Sequence, residues 1–415
     1  MTQRLWWWGW MWWLLMTSSS VASTQILMGG NVGNSSTSAS VYMTLMGGPL
    51  GSWTATEVNA QFVISTAGTF RNLYIEVSAA PGGSTSYVFT VRLNGVGTAL
   101  TCTVSGSNTS CNDTSNNFAV VAGDEVTLES SPAGGTPTAT APQWSVRFDS
   151  TTSSYSLLGS STNTGNHTNG QFMPVVSMEP GDLTETDVDI IVPTAGTLRN
   201  LYVELTAAPG GSDSRGYTLR VNEASTGLTA SASGASTTGN NTSNTVAVVA
   251  GDRINYIAVV VGAPTAARAR IGMTFDADTA GEFIFGLATD NALTGTGTTE
   301  YLEMVAGDDN ILTTAASQLA QSMTVKAIYI RTSVVAGAGN TVDYTLENNG
   351  STTALTCQMA GGSAVTCNGA TDITIANADN LTVKCVPSAS AFGGRMSTGL
   401  LGFVSESVRR VLLVN

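Results

Sequence analysis

Histidine is almost absent from this chain of 415 residues: His167, in the segment "TGNHTNG", is the only one. Serine and cysteine triads need a histidine base, and most zinc sites need imidazole or clustered thiolates. Neither chemistry has material here, and no G-x-S-x-G elbow or C-x-x-C pair occurs. His167 itself reads as a solvated loop residue. Charge is scarce as well. Asp, Glu, Lys and Arg make up 11% of the chain, less than half the usual share, and Lys326 and Lys384 are the only lysines. Asp and Glu outnumber Lys and Arg by 29 to 16, which argues against a nucleic-acid partner, because phosphate binding needs a basic surface. A low-charge surface rich in threonine suits a protein outside a cytoplasm, or one packed against copies of itself.

Only one run is strongly apolar. Residues 1–23, "MTQRLWWWGWMWWLLMTSSSVAS", place Arg4 before about twelve apolar residues and then small ones. That is the three-part secretory signal pattern, with cleavage after Ala22 or Ser23. The core is too short to span a bilayer, and tryptophan prefers the membrane interface. An uncleaved interfacial anchor is therefore a second reading, and a start set too early, with Met16 as the true one, is a third.

What the chain has in abundance is itself. "GTFRNLYIEVSAAPGGS" begins at Gly68 and "GTLRNLYVELTAAPGGS" at Gly196. Followed outward, "NFAVVAGDEVTL" at Asn117 matches "TVAVVAGDRINY" at Thr245, "WSVRF" ending at Phe148 matches "IGMTF" ending at Phe275, and Asn94 matches Asn222. A third, eroded copy aligns Tyr329 with Tyr74 and Tyr202, Asn349 with Asn94, and Phe403 with Phe275. A period near 128 is far too long for a solenoid unit. It indicates three duplicated domains, 24–150, 151–280 and 281–415.

Each copy reads as all-β. Leu73, Ile75 and Val77 alternate with Tyr74, Glu76 and Ser78, the period-two pattern of a strand with one buried face. "APGG" then supplies turn residues. Eight or nine such runs per copy predict an antiparallel β-sandwich of jelly-roll topology. A linker of about six residues separates copies one and two, so successive domains must touch. Three equivalent domains could close around a pseudo-threefold axis or run as a linear string.

The cysteines test this alignment. Copy one carries Cys102 and Cys111, copy three Cys357 and Cys367, and copy two has Ala230 and Gly239 at those places. Joint presence or absence is what a local disulfide requires, here closing a hairpin. Cys385, at the Ser130 position, is left as a free thiol. Disulfides fit an extracellular or virion location.

The order "GTFRNLYIEV", "TVRLNG", "AGDEVTL", "WSVRF" and finally "GLLGF" resembles the C1q and tumour-necrosis-factor jelly roll. The wording also looks like uncharacterised jelly-roll modules of tailed phages and environmental bacteria. The resemblance covers every copy and implies fold more than activity. It implies domains that are usually trimeric and that bind receptors or glycans, or build the outer surface of an assembly.

Few residues invite chemistry. Asp124, Asp252 and Asp379 recur at a strand start, where Asp commonly caps a turn. Glu185, Asp187 and Asp189 alternate in "TETDVDI" as if lining one strand face, and Asp308 and Asp309 share a loop. Either group could hold Ca²⁺, although neither has the spacing of a known calcium loop, and a glycosidase would need a carboxylate pair. Arg71, Arg199 and Lys326 recur beside a strand start, as do Arg92 and Arg220. These cations, with Tyr74, Tyr202 and Tyr329, are candidates for contacts between domains, for an acidic ligand, or for structural salt bridges. The expectation is a non-enzymatic structural or adhesive protein without a cofactor, on a phage virion surface, associating with itself or other surface proteins and binding a host glycan or receptor. A secreted bacterial adhesin or carbohydrate-binding protein is the alternative, and a polysaccharide depolymerase the third.

Overall fold

The computed structural model describes residues 23–404 except 31–32, 48–52, 163–166, 179–180, 287–298, 303–316 and 389–394. The leader and Asp308 and Asp309 lie outside the described residues. No helix among the described residues is long and apolar enough to cross a membrane.

Copy one is a jelly roll of two antiparallel sheets. In one, the strands run Thr24–Gly30, Pro142–Ser150, Gly68–Val77, Ser110–Val120; in the other, Val41–Met43, Glu125–Ala133, Ser86–Leu93, Val96–Ser105. A short strand, Phe62–Val63, also pairs with Glu125–Ala133. Alternating side chains fill the space between the sheets, with Phe70, Leu73, Ile75, Phe89, Val91 and Trp144 fully buried. The same order recurs in copies two and three. A bulge interrupts Gly68–Val77 between Arg71 and Leu73, and Asn72 takes φ 53° there, a left-handed conformation that asparagine tolerates. Asn200 repeats it at φ 54°.

The disulfides join Cys102 to Cys111 and Cys357 to Cys367, and Cys385 is free and buried. They do not close hairpins. Val96–Ser105 and Ser110–Val120 belong to different sheets, so each bridge ties the two layers of its sandwich together. In copy two the Cys111 position is Gly239, where a Cβ would lie 2.0 Å from the carbonyl oxygen of Ser231, a close approach that copy three also shows two residues beyond its bridge, at Gly369. Such bridges fit an oxidising environment.

Two features of the alignment change. Val325 faces Gly402 as Leu198 faces Phe275, so Gly402, not Phe403, is the counterpart of Phe275. Phe283 from the first strand of copy three fills the space above that glycine. The linkers are also shorter than expected, positions 151–154 and 278–281, because the flanking strands extend further.

These short linkers close a ring. The first strands of the three copies, Thr24–Gly30, Tyr155–Ser161 and Glu282–Phe285, touch one another in all three pairings. Gln25 pairs across the first of these contacts through its side chain, its amide donating to the Leu157 carbonyl at 2.9 Å and accepting from the Leu157 N–H at 2.7 Å. Farther out, Phe62–Val63 of copy one meets Ala269–Ala277 of copy two. Ile190–Ile191 of copy two meets Met396–Phe403 of copy three, and Ser317–Gln318 of copy three meets Pro142–Ser150 of copy one. Three head-to-tail seams of one kind that return to the start make a pseudo-threefold assembly within one chain. The outward face of Gly68–Val77 therefore does not meet water throughout: Tyr74 is buried, and its hydroxyl accepts from Asn377 of copy three at 2.9 Å. Ile26 and Met28 likewise belong to the apolar cluster of copy three.

Two of the seams rest on close backbone approach. A Cβ on Gly272 would lie 1.8 Å from the Val63 carbonyl oxygen, and one on Gly399 would lie 1.7 Å from that of Ile191. Gly272→Ala and Gly399→Ala should each lower stability by about 2 kcal/mol or more, read by denaturant unfolding. Unchanged midpoints for both variants would mean that these seams are not held this closely. Replacing Cys102 and Cys111 together by Ala should cost about 2–3 kcal/mol by the loop-entropy relation, and peptide mapping should find only Cys385 as a free thiol.

Candidate functional site

The residues that recur in sequence turn out to hold the sandwiches together. Asn94, at φ 50° in its turn, donates its side-chain amide to Asp124 at 2.8 Å and accepts the Glu125 backbone N–H at 2.8 Å, while Asp124 accepts the Val121 N–H at 2.7 Å. Asn222 with Asp252 repeats the arrangement at 2.7 Å, and Asn349 with Asp379 at 2.8 Å. Copy three keeps it even though Ala378, at φ 67°, replaces the glycine that precedes the Asp in the other copies. These carboxylates bind two turns to each other.

The recurring cations are also committed within their own copies. Arg71 pairs with Asp149, Arg199 with Asp276 at 3.2 Å, and Lys326 with Glu282 at 2.5 Å. Arg92 pairs with Glu57 and Glu129, each at 2.8 Å, and Arg220 with Glu185 at 2.6 Å. Copy three reverses one of these pairs. Glu347 stands at the Arg92 position and Lys384 at the Glu129 position, 3.3 Å apart.

The acidic run does not line a strand face. Glu185–Asp187 is a turn of 3₁₀ helix, which turns Asp187 away toward copy three while Glu185 and Asp189 both accept from the Asn255 amide, at 3.0 and 2.6 Å. Glu185 meets Arg220, Asp187 meets Arg395 of copy three at 3.0 Å, and buried Asp189 accepts from Asn255 at 2.6 Å and pairs with Arg253 at 3.2 Å. Among the described residues no cluster of three metal-ligating side chains forms.

His167 is buried, not solvated. Its Nε2 accepts the Gly181 N–H at 3.2 Å, Nδ1 lies 3.4 Å from the Tyr217 hydroxyl, and the Arg215 guanidinium donates to its carbonyl. Burial, aided by the charge on Arg215, lowers its pKa from 6.5 to about 4. Cys385 sits beside Tyr344, and burial pushes its thiol up to about 12, which leaves it unreactive.

Two clefts open at the seams. Tyr202 borders a cleft of about 190 Å³ between copies one and two, with Val63 and Gly123 on the far wall. Tyr329 borders the equivalent cleft between copies two and three, about 430 Å³, with Ile191 and Gly251 opposite. The larger one falls in the usual range for a small-ligand site. Tyr74 occupies the corresponding position at the third seam, closed by Asn377.

The charges at the first two seams are inverted. Between copies one and two, Glu125 and Glu204 flank Arg270, which reaches them at 2.7 and 3.1 Å and also donates to Gln61 at 2.8 Å. Burial holds the Glu125 carboxyl high, at about 7, because one guanidinium serves two carboxylates. Between copies two and three, the Glu125 position is Arg253 and the Glu204 position is Arg331, both lining the cleft. Arg253 is held by Asp189 and by Glu223 at 2.8 Å. Arg331 donates to the Thr186 carbonyl at 2.9 Å, and among the described residues no carboxylate lies within ion-pair distance of it. Sequence reading passed over Arg253 and Arg331, since each is unlike its counterparts in the other copies and they meet only across a seam.

No family model matches the chain, and no curated protein matches it either.

The buried histidine sets a pH dependence. Between pH 6.5 and 4 the unfolded chain holds a proton on His167 that the folded chain refuses, so its contribution to stability falls as the pH drops through that window. Relative to His167→Gln, the native protein should lose about 3 kcal/mol between those limits. Parallel pH profiles of the two proteins in denaturant unfolding would refute the burial of this imidazole.

Proposed function

We propose that this chain is a non-enzymatic structural or adhesive surface protein, a component of a phage virion surface that attaches to a host glycan or receptor. The observation that carries the reading is the closure of three jelly rolls by one chain. Single domains of the family it resembles reach such a ring by trimerising. Here the ring is covalent, so each seam can diverge by itself while the outer faces stay free for self-association or other surface proteins. Carboxylates that a depolymerase would use are instead engaged: Glu185, Asp187 and Asp189 each have a cationic partner. The two disulfides fit the second reading, a secreted bacterial adhesin or carbohydrate-binding protein, as well as the first.

The test is binding to whole host surfaces and to immobilised polysaccharides, with reducing-end release measured in parallel. Saturable binding without release is expected. Release of reducing ends that disappears in Glu185→Gln or Asp187→Asn would replace adhesion by hydrolysis.

A further inference from the structure

The two inverted seams differ in one respect beyond sign. Where Glu125 and Glu204 face each other, the chain supplies the counter-charge between them, because Arg270 stands opposite Glu204 on the neighbouring strand. Opposite Arg331 stands Ser397, which carries no charge. A faithful inversion would place a carboxylate there. Asp189, at the Gln61 position, is bound to Arg253 and to Asn255, and Glu223, on the lining of the same cleft, is bound to Arg253 as well, so among the described residues Arg331 makes no ion pair of its own. Burial, and then the charge on Arg253, lower the pKa of Arg331 below its ordinary value, against the opposing pull of Asp189, Glu223 and Asp187. A half-buried guanidinium without an ion pair is available to an incoming carboxylate.

The cleft around that gap has the lining of a saccharide site. Tyr329 offers an aromatic wall, Thr366 and Asn368 offer hydroxyl and amide groups, and the volume is about 430 Å³. Guanidinium groups pair with carboxylates through parallel hydrogen bonds, which fixes the orientation of the bound group. We propose that the cleft between copies two and three binds an acidic sugar, its carboxylate held by Arg331 and Arg253 and its ring lying along Tyr329. This rests on the adhesive reading above and assigns that reading one site and one ligand class: a uronate unit, free or within a polysaccharide.

The test is calorimetric titration of the full chain with galacturonate, with galactose and with inorganic phosphate. Galacturonate should bind, weakening as salt is raised, and galactose and phosphate should bind about tenfold more weakly or worse. Arg331→Gln should weaken galacturonate by about tenfold or more. Arg331→Glu should abolish binding, with an unchanged circular dichroism spectrum showing that the variant is folded. The proposal is overturned if galactose or phosphate binds as tightly as galacturonate, if no galacturonate binding is seen at millimolar concentration, or if Arg331→Gln binds like the native protein. An Arg331→Gln protein that still adheres to host surfaces while galacturonate fails to bind would remove this site and leave the adhesive reading standing.

Discussion

Two of the three seams of the ring depend on a backbone carbonyl pressed against a neighbouring strand at a place where a side chain would collide. The oxygens of Val63 and Ile191 lie over Gly272 and Gly399. With these two seams closed, the first strands of all three copies come together, and at the third seam Ile26, Met28 and Tyr74 are buried among residues of copy three. The sandwiches therefore do not have independent cores. The third seam has Ser145 at the glycine position, fully buried, and meets Ser317–Gln318 of copy three.

Covalent closure changes what duplication can do. In a ring of identical subunits, a substitution at a seam appears three times and must suit every copy of the contact. In one chain the seams are free to differ, and they do. One holds two glutamates around an arginine, the next faces two arginines, and in the third Asn380 stands at the Glu125 position and Glu76 at the Glu204 position. The reversal of Arg92–Glu129 into Glu347–Lys384 inside copy three has the same logic on a smaller scale, since a pair tolerates exchange when both partners change. Buried ion pairs of this kind add little net stability against an apolar alternative, but they penalise a mispaired partner heavily. At the seams they therefore favour the correct neighbour.

The three copies, the period-two strands, the jelly-roll order and both bridges were legible in the sequence, because strand alternation and turn chemistry are local and a duplicated domain repeats them at fixed spacing. The Asn94–Asp124 lock was half legible: the aspartate reads as a turn cap, while its asparagine partner comes from another turn. "TETDVDI" misled because alternating charges imitate a strand while the chain winds a 3₁₀ turn. His167 misled because its neighbours are polar in sequence, whereas Tyr217 and Arg215, which surround it, come from a distant strand.

The sequence by itself thus determined what each domain is, down to which cysteines pair. Only the tertiary structure decided how the domains meet: closed, not linear, with Tyr74, Tyr202 and Tyr329 at equivalent seams and with Arg253 brought to the same cleft as Arg331. The physical reason is range. Pairing within a sandwich leaves a periodic trace along each strand, whereas a seam joins residues from separate copies whose complementarity has no period to read.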